Sequence, residues 1–321
     1  MASFKKIDPR LKTNNDTGFG PNASSYGGRF INRDGSFNLK REGISFLNRF
    51  SIFQQMQALP RWKFLLIIVS FFVAINLLFT IIYVLIGIDQ FTGVVGNTYW
   101  AKLKEIYYFS TETFTTVGYG RVNPLGDAAN IVAGFEAMSG FVSFAILTGL
   151  IYGRFAKPRP FLAFSDYALV SPFHENTALM FRFATYKDHH ALTNVNIKLS
   201  LAAREENDKG ESMYKFYDLK LERDKVDNLP MNWTVVHPID EESPLFGFTY
   251  EDAINADLEL YVLITGFDEV YSSPVLQRTS YTYQEMKFNA RFEPMYRESD
   301  DGKTTILEMH KLNAVRELPI P

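Results

Sequence analysis

Two long stretches of the chain are almost purely apolar. Residues 64–86 carry no charged side chain, and a helix of that length rises about 34 Å, enough to cross the hydrocarbon core of a bilayer. Residues 128–155 form a second stretch, interrupted by Glu136 and by Arg154 near its end, and rich in glycine and serine. Small residues let membrane helices approach closely. We therefore predict two transmembrane helices.

The segment before the first apolar stretch has a helical periodicity. Its apolar residues recur every three or four positions among polar ones, at Phe46, Phe50, Phe53, Met56 and Leu59. This spacing predicts an amphipathic helix over residues 45–60 that lies on the membrane surface. A helix packed on a soluble domain would show the same spacing and remains an alternative. Residues 1–44 precede it as an N-terminal segment.

The second half of the chain has the alternation of strands. Val195, Ile197, Leu199 and Leu201 are separated by single polar residues, as in a strand with one buried face. Several such runs are divided by clusters of proline, glycine, asparagine and aspartate. We therefore predict an all-β sandwich over residues 157–321. Its sequence contains no glycine-rich phosphate loop, so a nucleotide-binding domain is not expected.

Charge and composition set the orientation and narrow the chemistry. Residues 1–63 contain 11 basic and 4 acidic side chains, whereas residues 87–127 contain 3 and 4. Because positive flanks stay inside, we predict a multi-pass protein of the cell membrane with both termini cytoplasmic. Residues 156–321 contain 18 basic and 27 acidic side chains, a field that favours cations and disfavours a nucleic-acid partner. The absence of cysteine excludes disulfides, iron–sulfur clusters and cysteine nucleophiles.

A distinctive loop lies between the two apolar stretches. Residues 115–120 read Thr-Thr-Val-Gly-Tyr-Gly and follow a segment, residues 100–114, that can form a short helix. Non-helical backbone at membrane depth is tolerated only where it is buried in protein or lines water, so this loop is expected to line a pore. Its carbonyl groups can replace the hydration shell of a cation. The predicted ion-binding residues are Thr116, Val117, Gly118, Tyr119 and Gly120.

The glycines of this loop suit a carbonyl-lined pore. Gly118 and Gly120 can adopt positive φ at little cost, which allows neighbouring carbonyl groups to point the same way. The carbonyl end of the preceding helix carries partial negative charge and would stabilise a cation below the loop. One chain supplies only part of a ring, so we predict a homotetramer. We expect passive conduction rather than catalysis, with no cofactor and no metal other than the permeant cation bound by this loop.

Several motifs occur in a characteristic order along the chain. They are RFINRDGSFN at residues 29–38, TETFTTVGYG at 111–120, AKP at 156–158, LMFRF at 179–183, WTVVHPID at 233–240 and RTSY at 278–281. Together they resemble the inward-rectifier potassium channel family, and within it the prokaryotic branch. The resemblance implies a membrane α-helical pore module of two spans with a re-entrant loop over residues 61–156. It also implies a cytoplasmic immunoglobulin-like sandwich whose four copies extend the ion pathway.

The resemblance assigns roles to single residues. Glu112 looks like the family's pore-helix glutamate, and Arg121 is the nearest candidate for its basic partner. Aligning residues 156–158 places Tyr152 at the family's inner gate and Phe144 where strong rectifiers carry a cavity acid. The alternative is that the residues spaced by four on the second span, Gly140, Phe144, Thr148 and Tyr152, face lipid or pack against another helix. The other gate and pore-lining predictions are Gly140, which resembles the family's hinge glycine, Thr148, Glu269, Ser272 and Ser273.

Basic residues flank both predicted spans on the cytoplasmic side. The resemblance implies that they bind anionic phospholipid or phosphoinositide, while simple topology-setting charge is the alternative. The direction of the lipid response stays open. Block by polyamines or magnesium is expected to be weak, because Phe144 is apolar. Glu136 is costly within a span and is expected to face protein. The predicted lipid-binding residues are Arg61, Trp62, Lys63, Arg154, Lys157 and Arg159.

Two other functions fit parts of this pattern. A subunit of a potassium uptake transporter could use a filter-like loop, but such proteins typically carry several loop repeats in one chain, and this sequence has one. A membrane-tethered sensor that conducts nothing could have the same two domains. A potassium flux assay would distinguish the sensor from a channel.

Overall fold

The computed structural model describes residues 7–8, 11–14, 18, 28–45, 51–188, 190–206 and 212–318. Two positions of the predicted amphipathic helix, Phe46 and Phe50, lie outside the described residues. The chain divides into two compact units. One is Glu42–Lys157, and the other combines Met1–Arg41 with Pro158–Pro321.

The membrane unit is built from helices and one short pair of strands. In chain order its elements are α1 (Ile52–Ala58), α2 (Arg61–Ile86), β1 (Phe91–Thr92), α3 (Tyr99–Phe114), β2 (Asn123–Pro124) and α4 (Asp127–Phe155). Strand β1 pairs with β2 in antiparallel fashion. The helices α2 and α4 begin and end within three residues of the two predicted spans. Helix α1 lies within the range predicted for the amphipathic helix, residues 45–60.

Local sequence explains where these helices begin and end. Ser51 and Thr98 cap α1 and α3, because their hydroxyl groups accept the N–H groups of Gln54 and Ala101. Helix α2 starts directly after Pro60 and stops at Gly87, whose φ of 119° only glycine adopts readily. Among the described residues, α2 and α4 are the helices long and apolar enough to cross a membrane.

The surfaces of these two helices are largely uncovered within one chain. Only 11% of the most apolar window of each helix is buried. A soluble protein would bury such a helix, whereas a membrane helix contacts lipid or other copies. The exposure therefore supports a transmembrane assignment for both.

The pore helix α3 is held by an aromatic cluster. Tyr83 on α2 packs edge-on against Phe91 and Phe109, with ring centroids 5.2 and 5.4 Å away. Ile106 is fully buried in the same cluster. Because these rings come from α2, β1 and α3, they fix the tilt of the pore helix against the first span.

The second unit is a sandwich of two sheets. In chain order its elements are β3 (Leu162–Phe164), β4 (Ala168–Phe173), β5 (Asn176–Thr185), β6 (Leu192–Glu206), β7 (Ser212–Asp218), β8 (Lys225–Leu229), β9 (Asn232–Ile239), α5 (Tyr250–Asn255), β10 (Glu259–Asp268), β11 (Ser273–Thr282), β12 (Met286–Phe288), β13 (Ala290–Phe292), β14 (Tyr296–Glu298), β15 (Thr305–Leu307) and β16 (Val315–Glu317). One sheet contains β3, β4, β5, β9 and β12, and the other contains β6, β7, β8, β10 and β11. The remaining strands pair as β13 with β16 and β14 with β15.

The core between the sheets follows the predicted alternation. Val195, Ile197, Leu199 and Leu201 on β6 are all buried against residues of the opposite sheet. The all-β sandwich predicted for the second half of the chain is therefore present. One strong departure from the apolar pattern is Arg182 on β5, which is fully buried.

Arg182 ties the last part of the chain to the sandwich. Its guanidinium group donates to the carbonyl oxygens of Glu293 at 2.6 Å and Leu312 at 2.7 Å, and lies 4.4 Å from the ring centre of Phe292. Burial lowers the pKa of Arg182 to about 10. Since a buried cation is costly unless its donors are used, these bonds hold the segment after β12 in place.

Candidate functional site

The loop after α3 has an alternating backbone. Thr116, Gly118 and Gly120 have φ values of 60°, 55° and 75°. The positive φ expected at the two glycines is thus present, and Thr116 adds a third such residue that the sequence did not suggest. Left-handed residues at every second position turn successive peptide groups in compensating directions. This alternation suits a row of carbonyl groups on one side of the loop.

The inner end of this loop is anchored by the last turn of the pore helix. The carbonyl oxygen of Glu112 accepts the N–H groups of Val117 at 2.9 Å and Gly118 at 3.2 Å. The carbonyl oxygen of Thr113 accepts the N–H group of Thr116 at 3.0 Å. Because these bonds use N–H groups of the loop, its carbonyl oxygens are left to coordinate a cation.

The outer end is held by side chains that follow the loop. The amide of Asn123, in β2, donates to the carbonyl oxygen of Gly120 at 2.7 Å. The Arg121 guanidinium forms an ion pair with Glu105 on the pore helix. A Cβ atom at Gly93 would lie 1.7 Å from the carbonyl oxygen of Arg121, so only glycine permits this close approach. The segment after the filter is therefore fixed between the β1–β2 strand pair and α3.

This geometry corrects the expected partner of Arg121. The sequence suggested Glu112, in the last turn of α3, but the guanidinium meets Glu105 two turns earlier. The physical reason is that the chain turns back along the pore helix after Gly120, which brings Arg121 toward its middle. Glu112 contributes its backbone carbonyl to the filter instead. The sequence contained no periodic signal for the Glu105 pair, nor for the Asn123 contact.

The inner helix α4 presents two different faces along the predicted stripe. Gly140 is buried, and a Cβ atom there would lie 1.9 Å from the carbonyl oxygen of Phe114. This corrects its grouping with the pore-lining residues, because its lack of a side chain serves close packing on the pore helix. Phe144 and Tyr152 are 71% and 73% exposed in the single chain, and Thr148 between them is exposed as well. These three can line a pore or face lipid.

Three of the predicted gate and pore-lining residues, Glu269, Ser272 and Ser273, lie at the tip of the β10–β11 hairpin. Glu269 and Ser272 are exposed, and Ser272 has a φ of 46°. The fully buried carboxylate of Asp268 accepts the N–H groups of Val270 and Tyr271 at 2.9 and 3.0 Å. Ser273 begins β11. The turn therefore has a defined shape, set by Asp268 rather than by the residues that the sequence had singled out.

Arg154 differs from the other basic residues near the ends of the spans. Its guanidinium donates to the backbone carbonyls of Met56 at 3.2 Å and Leu59 at 2.6 Å, and lies 4.9 Å from the ring centre of Phe64. It thus fastens the end of α1 to α4. The other predicted lipid contacts are exposed in the single chain; they are Arg61, Trp62, Lys63, Lys157 and Arg159.

The N-terminal motif docks onto the sandwich. Glu259 on β10 accepts the N–H groups of Phe30 at 2.8 Å and Ile31 at 3.2 Å. Burial raises the pKa of the Glu259 carboxyl, although these bonds oppose the shift. Arg29 pairs with Glu285 at 3.0 Å. Burial alone would raise the pKa of Glu285, but the bonds from Arg29 and the Thr282 N–H group lower it below its usual value. Because Arg29 also donates to the Ser280 hydroxyl at 2.8 Å, the motifs at 29–38 and 278–281 meet in one interface.

Comparisons with known proteins cover both units. A family model described as the inward rectifier potassium channel C-terminal domain matches residues 162–321, and a model described as ion channel matches residues 70–157. The chain is 29% identical to the inward rectifier potassium channel Kirbac3.1 of Paramagnetospirillum magnetotacticum, over 90% of this chain and 96% of that protein. It is 28% identical to the ATP-sensitive inward rectifier potassium channel 12 of Homo sapiens, over 81% of this chain and 64% of that one. The Mus musculus counterpart matches equally well, with 65% of its length covered.

Proposed function

Because the chain belongs to the inward-rectifier potassium channel family, we propose that four copies form one potassium-selective pore around residues 116–120. The chain is a membrane protein, and the proposed orientation places both termini in the cytoplasm. Each copy contributes one set of carbonyl oxygens to rings that replace the hydration shell of potassium. Cover of the filter by other copies is supported by its exposure: Val117 and Tyr119 are 53% and 79% exposed in a single chain.

The observation that carries this proposal is the backbone of the filter. Positive φ at every second residue, together with N–H groups bonded to the pore helix, leaves a row of carbonyl oxygens for an ion. The carbonyl end of α3 adds partial negative charge near the same place. Charged side chains are not needed for this kind of coordination.

The test is ion flux through the purified channel in liposomes. The unmodified protein should assemble as a tetramer, carry potassium and rubidium, and exclude sodium. Gly118→Ala should abolish flux, because a methyl group disfavours the φ of 55° wherever the neighbours lie. Gly134→Ala is the matched control: a Cβ atom there meets nothing within 4 Å of the same chain, and α4 tolerates alanine.

Two outcomes would contradict the proposal. A tetramer that carried sodium as readily as potassium would contradict selective coordination by the filter. A Gly118→Ala channel with the flux of the unmodified protein would show that ions pass by another route.

We further propose that the pore closes at the inner end of α4. Phe144, Thr148 and Tyr152 follow one another at intervals of four residues and are exposed in the single chain, which suits side chains that face a central axis. A ring of four tyrosines can exclude water from a narrow passage. The β10–β11 tip, with Glu269, Ser272 and Ser273, is the second candidate constriction.

We also propose that anionic phospholipid or phosphoinositide binds the exposed basic residues near the span ends. Arg61 and Lys63 begin α2, and Lys157 and Arg159 follow α4, where anionic headgroups lie. The Lys63 ammonium lies 5.4 Å from the ring centre of Trp62, a pairing common at membrane interfaces. Arg154 supports this site by holding α1, since its donors already bond to backbone carbonyls.

A further inference from the structure

An acidic side chain lies fully buried between the three main helices of the membrane unit. Glu136, on α4, has no exposed surface. One carboxyl oxygen lies 2.5 Å from the hydroxyl of Ser110 on α3, and the other lies 2.5 Å from the hydroxyl of Tyr83 on α2. Ser110 also lies 3.2 Å from the side-chain oxygen of Asn76 on α2. One residue therefore joins the inner helix, the pore helix and the first span.

This contact is one helical turn away from the tightest approach between α4 and the pore helix. Gly140 follows Glu136 by four residues and packs on the carbonyl oxygen of Phe114, four residues after Ser110. Residues four apart lie on the same face of a helix. The last turn of the pore helix is thus held against α4 at two levels, one polar and one by backbone contact.

Helix packing alone does not require an acid in this position. An ionisable side chain within a span is costly, and an apolar residue of similar size would fill the space without that cost. A carboxyl group differs from such a residue because its two oxygens fix the direction and distance of two hydroxyl groups. The arrangement therefore favours a role in positioning the pore helix, whose last turn bonds to the filter N–H groups.

We propose that Glu136 is a positioning residue for the selectivity filter. By holding Ser110 it sets where the end of α3 lies, and so where the carbonyl oxygens of Glu112 and Thr113 anchor residues 116–118. The same contact transmits the position of the inner helix to the filter. This inference rests on the proposed conduction through residues 116–120.

The test compares potassium and sodium permeability of assembled channels in liposomes. Glu136→Ala should lower the potassium-over-sodium permeability ratio by about tenfold, because two buried hydroxyl groups lose their partner. Glu136→Gln keeps the size and one carbonyl oxygen and should stay within about twofold of the unmodified channel. Ser110→Ala, which removes only the contact with the pore helix, should also lower the ratio. A merely structural role would reduce the yield of tetramer and leave the ratio unchanged.

The matched control is Ser139→Ala on the same helix. The Ser139 hydroxyl donates to the backbone carbonyl of Glu136 in its own helix at 2.7 Å, so its loss should not move the pore helix. An assembled Glu136→Ala channel with the unmodified ratio would overturn the inference. If that variant does not assemble, an unchanged ratio in Ser110→Ala overturns it equally. Lack of selectivity in the unmodified channel would instead count against the proposed function.

Discussion

At the scale of single residues, side-chain exposure at the inner end of α4 is the informative feature. Tyr152 lies one turn before the end of the helix and directs a large ring away from its own chain. Gly153 beside it packs close to Gln57 and Phe53 of α1, so a neighbouring face of the helix is covered. The two neighbours thus separate a packed face from a face that is open for other copies.

The gate proposal predicts the effect of removing this ring. Tyr152→Ala should raise the resting potassium flux of the tetramer, because a wider opening no longer excludes water. The measurement is rubidium uptake into liposomes without any activating ligand, normalised to the amount of tetramer. Ile151→Ala, one position away on the helix, is the control and should leave the resting flux near its original value. Unchanged flux in Tyr152→Ala would move the gate toward the β10–β11 tip.

Sequence reasoning reached some residues and not others, for a physical reason. The positive φ of Gly118 and Gly120 depends on the residue type at those positions, so the sequence sufficed to predict it. The partner of Arg121 depends on where the chain runs after the filter, and that path is set by the packing of Gly93 against it. Gly140 was misplaced because spacing defines a stripe but not the neighbour that the stripe meets.

At the scale of elements, α1 is fastened to the membrane unit at its C-terminal end. Arg154 bonds the last carbonyl groups of α1, and Gly153 allows the close contact beside them. Because a lipid headgroup would compete with carbonyl oxygens for the same donors, Arg154 is a poor primary lipid contact. The exposed lysines on either side are better placed for that role.

Because the exposed lysines are better placed than Arg154 to bind lipid, their removal should change the lipid response. Combined Lys63→Gln and Lys157→Gln should shift the phosphoinositide dose for half of the response by at least about tenfold, since each basic residue near anionic lipid contributes about 1 kcal/mol. Flux into liposomes of graded phosphoinositide content measures the shift, whichever direction the response takes. Lys102→Gln, an exposed lysine at the start of the pore helix, is the control. If the double variant kept the full dose response, these charges would serve only to set the topology of the protein.

The predictability of elements followed the strength of their periodicity. The long apolar runs gave α2 and α4 to within three residues, and the alternation in β6 predicted its buried face. The docking of the N-terminal motif could not be predicted, because it depends on the Glu259 carboxylate of β10 and on Glu285 beyond β11. Contacts between residues more than two hundred positions apart leave no pattern in either segment.

At the scale of the whole molecule, the proposed pore would lack a ring of charge at Phe144, which is apolar. Residues 156–321, which the proposed orientation places in the cytoplasm, carry 27 acidic side chains against 18 basic ones. Polycations should therefore gather near the cytoplasmic entrance and find no deep site. The resulting block should weaken with salt, because such attraction acts over a Debye length.

This charge pattern predicts the response to spermine. Block of the unmodified channel should be weak and shallowly dependent on voltage, and Phe144→Asp should strengthen it substantially by adding four acids to one cavity. Current recordings over a range of voltages, with spermine on the cytoplasmic side, measure both. Phe144→Asn is the control, since it is polar without charge. Tight, steeply voltage-dependent block of the unmodified channel would mean that another acid holds the blocker.

Each chain supplies only part of every carbonyl ring in the proposed filter. This matters for assemblies that combine intact and altered subunits. In the proposed tetramer, one faulty copy of residues 116–120 disrupts every carbonyl ring of the pore. The assembly then loses its whole conductance rather than a quarter of it. If intact and Gly118→Ala copies were made in equal amounts and combined at random, only about one assembly in sixteen would contain four intact copies. A defect in the filter would thus act dominantly, whereas halving the amount of intact chain would merely halve the number of channels.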